Sequence, residues 1–489
     1  MKIVAIGSGF GGLSAAIRLK AQGHEVTILE KRDRPGGRAY VYEQDGFTFD
    51  GGPTIITAPQ LIHDLFELSG KNTSDYVQLV QLDPFYNVRF VDGSVFHYNS
   101  DRTALIQQIH QFNPADVAGY ERFSQACERV YQKGLPLMTK PFSRLRDMLK
   151  VAPDMVQLQS YKSVTSFVNQ YIKDERLRQV FSFHPLLIGG NPFTSSAIYA
   201  MIHKLEQNQG IWYAIGGTGA LVQGLVRLFT DIGGEIFLNT EVEQIAIDEG
   251  TKKATGVITK KGDLIPADAI VSNADVAYTY LNLVPKQFRK KYSDRRLKKM
   301  KYSMSLFVLY FGTNRRYEQM AHHEIIMGPR YRELMQDIFD RKHLAEDFSL
   351  YLHRPTATDP TMAPEGCDCW YVLSPVPNLA GTTDWKTQAK SYRDTIIDYL
   401  EQHYLPDLSQ HIVTEHYIDP LHFRDILNSY LGSAFSVQPI LTQSAWFRPH
   451  NRSEDVENLY LVGAGTHPGA GLPGTISSGK IVADAIALS

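Results

Sequence analysis

Cysteine is scarce: 489 residues contain three, Cys127, Cys367 and Cys369. A disulfide scaffold needs many more, and a structural zinc site needs four ligands at suitable spacing. The three therefore read as free thiols, and no metal site is expected. Long apolar runs are missing too. The longest, such as residues 305–312 (SLFVLYFG), fall far short of the roughly 18 residues of a spanning helix. A charge excess of one sign is also absent, since 50 Lys+Arg against 52 Asp+Glu leave −2, which argues against a nucleic-acid binder. The N-terminus, MKIVAIGSGFGG, turns glycine-rich before the sustained apolar stretch a signal peptide requires. The expected location is the cytoplasm. No repeat, heptad run or low-complexity tract is present.

What is present is ordinary core material. AVILMFWYC make up 43% of the chain, too much for a disordered protein. The length suggests about three domains, or two large ones. One charge run stands out. Residues 286–301 (KQFRKKYSDRRLKKMK) hold nine basic residues and Asp294, which is +8 against −10 for the rest. Such a run suits an anionic lipid surface, at roughly 1 kcal/mol per basic residue. Phe288, Tyr292, Leu297 and Met300 are interleaved and suited to shallow insertion.

Residues 2–6 predict a buried strand, 13–22 a helix and 25–30 a second strand, a unit of about 30 residues. Segments 54–70 and 101–206 predict mainly helices. A glycine cluster at 216–219 opens another helix, followed by strands near 233–238, 242–247, 257–259 and 269–273. Strand-like runs alternate over 302–376. Near the end, residues 459–462 predict a strand, 463–474 a glycine loop and 475–487 a helix. The expected fold is α/β: a Rossmann-like, doubly wound dinucleotide-binding domain of residues 1–75, 210–285 and 430–489. An inserted α+β substrate domain of residues 76–209 and 286–429 completes it.

Gly7-Ser8-Gly9-Phe10-Gly11-Gly12 is a G-x-G-x-x-G between strand and helix. The glycines allow the tight turn, the approach of a pyrophosphate and close helix–strand packing. The helix N-terminus favours the phosphate charge. Glu30, with Lys31 beside it, ends the second strand where an acid accepts hydrogen bonds from a ribose. Gly36-Gly37-Arg38 follows, two permissive residues and a planar fork suited to phosphate.

This combination resembles the FAD-binding superfamily of amine oxidases and carotenoid desaturases. Gly52, Pro53 and Thr54 then fall where that superfamily brings a glycine close to the flavin ring, and Val242 where the backbone meets the adenine. The stretch 458–474, NLYLVGAGTHPGAGLPG, resembles the C-terminal signature of bacterial-type phytoene desaturases. There Gly463, Gly465, Gly469 and Gly471 would let the chain fold tightly beneath the isoalloxazine. Pro473-Gly474 would lead into the last helix, whose N-terminus favours negative charge on the reduced flavin. Gly463, Gly465, Thr466 and Gly474 are expected to bind the cofactor. The segments 142–149, 181–193, 212–225, 345–353 and 433–450 resemble the same family, so the likeness covers essentially the whole chain.

The resemblance implies FAD as cofactor and 15-cis-phytoene as substrate. It also implies dehydrogenation through phytofluene, ζ-carotene and neurosporene to all-trans-lycopene, with oxygen or a quinone reoxidising the flavin. Asp147 or Arg146, charges within an apolar segment, is the expected proton-handling group; His184 and His467 are weaker candidates. A bilayer-soluble substrate implies peripheral attachment to the cell membrane, through helices around 140–205 or the basic run. Alternatives are a desaturase acting on diapophytoene, one stopping at neurosporene, a carotenoid isomerase, or a binding protein like the GDP-dissociation inhibitors. Every fingerprint glycine is intact, which disfavours the last.

Overall fold

The computed structural model describes residues 1–488. A five-stranded parallel sheet forms its base, in the order Leu459–Leu461, Ala269–Ser272, Lys2–Ile6, Glu25–Leu29, Glu235–Phe237. The inner strands are buried on both faces, so residues 3–6 and 269–271 run apolar rather than alternating, while the edge strand Glu235–Phe237 is partly exposed. Ile3, Ala5, Val26 and Ile28 pack under the helices Phe10–Ala21, Gly217–Asp231 and Leu472–Ala487. Val4, Ile6, Leu29 and Ile270 face the other way.

That second face corrects one expectation. Val242–Ile247 and Ala254–Thr259 do not join the parallel sheet. With Leu264–Pro266 they form a separate three-stranded antiparallel sheet. Val242, Ile245, Ala254 and Val257 cover the second face in place of helices. Phe288, Tyr292 and Leu297 belong to this same core and are buried. They are not available for insertion into lipid. Part of the basic run is tied down as well: Lys291 pairs with Glu454, Arg289 with Asp294, and Asp455 accepts from three consecutive backbone N–H groups of residues 290–292.

A second sheet of seven strands stands apart from the first. Its order is Ile412–Ile418, Ser305–Thr313, Asp368–Val376, Leu350–His353, His323–Ile326, Tyr86–Arg89, Val95–Tyr98. The apolar run at 305–312 is its second strand, buried at every position. Phe307, Leu309 and Phe311 pack with Trp370 and Val372 against the helix Trp385–His403. The alternate residues face a cavity. The strands at 86–98 lay in a stretch with no predicted element. Their residues pair with a strand more than 200 positions away, a contact no local pattern reveals.

Arg448 anchors the C-terminal glycine loop. It is 1% exposed, and burial pushes its pKa down. Its guanidinium donates to the carbonyls of Val437, Ala464, Thr466 and Gln443 at 2.9, 2.6, 2.9 and 3.3 Å. Arg448→Met keeps the bulk and strands these carbonyls. We expect a loss of about 3 kcal/mol, read as a lowered thermal midpoint of the purified holoprotein.

Candidate active site

Three backbone loops meet at the carboxyl edge of the parallel sheet, where ligands of such sheets bind. Residues 7–12 follow the first strand, 36–38 follow the second, and 463–474 follow the last. Side chains would keep them apart. A Cβ on Gly12 would sit 2.2 Å from the carbonyl oxygen of Gly7, and one on Gly11 would sit 2.9 Å from the backbone nitrogen of Gly463. Asn273, just past the strand Ala269–Ser272, packs between the loops. Its amide lies within 3.1 Å of where Cβ atoms of Gly9, Gly11, Gly12 and Gly463 would fall, and it donates to the carbonyl of Val462.

One continuous cavity runs from these loops. Its wall includes Gly7, Gly9, Phe10, Gly11, Glu30, Lys31, Gly37, Arg38, Gly52, Pro53, Thr54, Val242, Gly463, Gly465 and Gly474. Gly12 and Thr466 lie behind the wall. Gly12 closes the first turn. The Thr466 hydroxyl donates to the carbonyl of Gly463 and accepts from Asn451.

The chemistry of this end suits a dinucleotide. The Glu30 carboxylate is buried at the end of its strand and accepts from the backbone N–H and hydroxyl of Ser8 at 2.9 and 2.6 Å. The Arg38 guanidinium donates to Ser429 at 2.6 Å, while its Nε–H is buried without a partner. Burial lowers its pKa, and Asp275 opposes the shift. Unmatched buried donors beside glycine loops fit a pyrophosphate. Burial also lowers the pKa of Lys31, with Glu241 and Glu30 opposing.

The other end is apolar. Met304, Leu306 and Val308, then Ile325 and Met327, then Leu373 line the cavity from the seven-stranded sheet. Leu306, Val308, Ile325 and Leu373 are alternate positions of its strands, opposite the face under the helix, and Met304 and Met327 flank two of those strands. Phe183, Leu186, Leu187 and Ile202 close the far side. One carboxylate stands in this end. Glu206 is fully buried; its Oε2 accepts from the Tyr86 hydroxyl at 2.7 Å and lies 3.2 Å from His184 Nε2, while Oε1 has no partner. No motif marked Glu206 in the sequence.

Both residues expected as candidates for proton handling lie elsewhere. Arg146 and Asp147 sit on the helix Leu145–Gln157, which has no buried residue. Asp147 accepts from the Arg144 N–H at 3.1 Å as a helix cap. Neither residue is on the cavity wall, because the helix lies against the surface near residues 445–447. His467 lies behind the wall too, donating from Nε2 to the carbonyl of Leu137 at 3.0 Å; burial pushes its pKa down to about 4.

A glycine-lipped cofactor cleft opening into an apolar cavity defines an oxidoreductase that brings a dinucleotide cofactor to a hydrophobic substrate. The chain belongs to the flavin-containing amine oxidoreductase family, which it matches over residues 10–487. It is 53% identical over 480 residues to a lycopene-forming phytoene desaturase of Pantoea ananas, covering 98% of this chain and 97% of that one. It is 51% identical to another from Pseudescherichia vulneris, covering 99% and 98%. Putrescine oxidase shares the fold, with a TM-score of 0.66 at 14% identity over the whole of both chains. The cofactor is FAD.

Replacing Arg38 tests the phosphate end. Losing one buried, charge-assisted contact costs about 1.5–3 kcal/mol. Arg38→Met is expected to weaken FAD binding roughly 10- to 100-fold, measured by flavin fluorescence on titrating the apoprotein.

Proposed function

We propose that this chain dehydrogenates 15-cis-phytoene stepwise to all-trans-lycopene. The observation that carries the reading is the continuity of the apolar cavity with the glycine loops, in a chain so close to lycopene-forming relatives. Glu30, Arg38 and the loops at 7–12 and 463–474 hold the FAD, and Gly52 to Thr54 and Val242 complete its site. Bound FAD supplies the hydride acceptor. Met304, Leu306, Val308, Ile325, Met327 and Leu373 enclose a hydrocarbon with no polar group and exclude water from it. Glu206 is the proton-accepting group of this reading, at its free Oε1, in place of Asp147. Oxygen or a quinone takes the electrons onward.

In cells that accumulate phytoene, the chain is expected to produce red all-trans-lycopene, identified by HPLC. Intact phytoene, with air and quinone both supplied in vitro, would overturn the assignment. Glu206→Gln is expected to lower kcat by about 100-fold while FAD content and KM hold. An unchanged kcat removes Glu206 from the reaction.

The same reading places the protein on a membrane surface, where its substrate dissolves. Among the described residues no helix is long and apolar enough to cross a bilayer. The helix Leu145–Gln157 supports attachment instead. Leu145, Leu149 and Val156 are 52%, 64% and 65% exposed and share one helical face. Arg144, Arg146 and Lys150 are exposed beside them. Exposed Phe447 belongs to the 445–447 turn that this helix touches. Met138, a few residues upstream, is on the cavity wall. Replacing Leu145, Leu149 and Val156 together by Ser is expected to weaken co-sedimentation with anionic liposomes by roughly tenfold or more. Neutralising Lys290, Arg295, Arg296, Lys298 and Lys299 is expected to weaken it less. The reverse order would move the contact to the basic run.

A further inference from the structure

Three histidines with no part in the steps above meet behind the cavity wall. His323 and His353 stand directly opposite each other on paired antiparallel strands, and such partners project from the same face of a sheet. His322 precedes the first of these strands. The ring centroids are 4.5, 4.8 and 5.1 Å apart. One ring nitrogen from each histidine lies within 4.8 Å of the other two. All three side chains are buried.

Their hydrogen bonds are one-sided. His322 Nδ1 meets the Thr358 hydroxyl at 2.7 Å, and His323 Nδ1 meets the Tyr351 hydroxyl at 2.8 Å. The Nε2 atoms of both are buried with no partner, as are both ring nitrogens of His353. His353 Nε2 lies 3.6 Å from Asp50 Oδ2, which is itself unpartnered. A fixed oxygen partner at Nδ1 frees the Nε2 lone pair, which is how outer-shell groups orient metal-bound histidines. Leaving several such atoms bare in an interior is otherwise costly. The nearby positive charge of Arg354 is taken up by Asp368 at 3.2 Å.

We propose that His322, His323 and His353 form a site for a divalent transition cation of the zinc class, with its fourth position left to water. Three imidazoles with one open position match that chemistry. Ligand atoms around tetrahedral zinc lie about 3.3 Å apart, so the rings draw inward on binding. The bound cation ties the paired strands His323–Ile326 and Leu350–His353 together behind the cavity wall. It also fixes Tyr351, whose hydroxyl bridges His323 and Thr54.

The test is metal content. The full-length holoenzyme is stripped with chelator, incubated with Zn²⁺ and desalted, and its zinc is counted by mass spectrometry. We expect about one zinc per chain, a rise in thermal midpoint on loading, and at least about a tenfold loss of retained zinc in His323→Gln and His353→Gln. Wild-type protein that retains less than about a tenth of an equivalent overturns the site. So do variants that keep as much zinc as wild type, because the cation then sits elsewhere. Where the variants fail to fold, Co²⁺-loaded wild type decides alone: visible bands of tetrahedral cobalt support the site, and a spectrum unchanged from the holoenzyme overturns it.

Discussion

At the carboxyl edge of the parallel sheet, main chains lie closer together than side chains allow, and the cofactor cleft depends on that contact. The loops after the first and last strands touch through Gly11 and Gly463, and the first turn closes on Gly12. Nearly the whole chain separates those two strands, so the contact exists only because both flank Ala269–Ser272 in one sheet. Asn273 ends that middle strand. Its short amide fills the space between loops that have no side chains of their own. A longer residue would push them apart, and a smaller one would leave their polar groups without support.

The cavity inherits its two characters from two sheets. The parallel sheet contributes strand ends, hence backbone N–H groups, glycine turns and the few charges of Glu30, Lys31 and Arg38. The seven-stranded sheet contributes a broad face instead, so that end presents side chains at every second residue. Because the opposite face is buried under Trp385–His403, its strand Ser305–Thr313 is buried on both sides. A polar cofactor and a hydrocarbon thus meet where strand ends give way to a strand face. Arg448 sets the position of that boundary from behind, by holding four carbonyls around the last loop.

How far this was legible in the sequence follows from the range of each interaction. The strand–glycine–helix units at both ends are local, and their spacing marks Glu30, Arg38 and the loop at 463–474 directly. Periodicity at 302–376 likewise announces strands. The failures are long-range. The strands at 86–98 are short and pair across more than 200 residues. Val242–Ile247 reads as a strand, but nothing within it says that it covers the parallel sheet rather than joining it. Glu206, His184 and Tyr86 come from two helical turns and a strand, so their meeting leaves no spacing to detect. The three histidines are equally silent: two are adjacent, and the third is set opposite only by the strand pairing.

Charge shows the same limit most sharply. The +8 run looks like a lipid-binding surface when counted along the chain. Folded, it divides. Arg289 and Lys291 are neutralised, and the apolar residues between the charges are core. Lys290, Arg295, Arg296, Lys298 and Lys299 remain exposed, a solvated face with nothing apolar to insert. The helix at 145–157 holds fewer charges, yet it leaves its apolar stripe uncovered. Attraction to lipid headgroups falls off within about a Debye length, whereas buried apolar area anchors a helix at the interface. Of the two segments, the less charged one therefore carries the apolar stripe that a lipid interface would anchor.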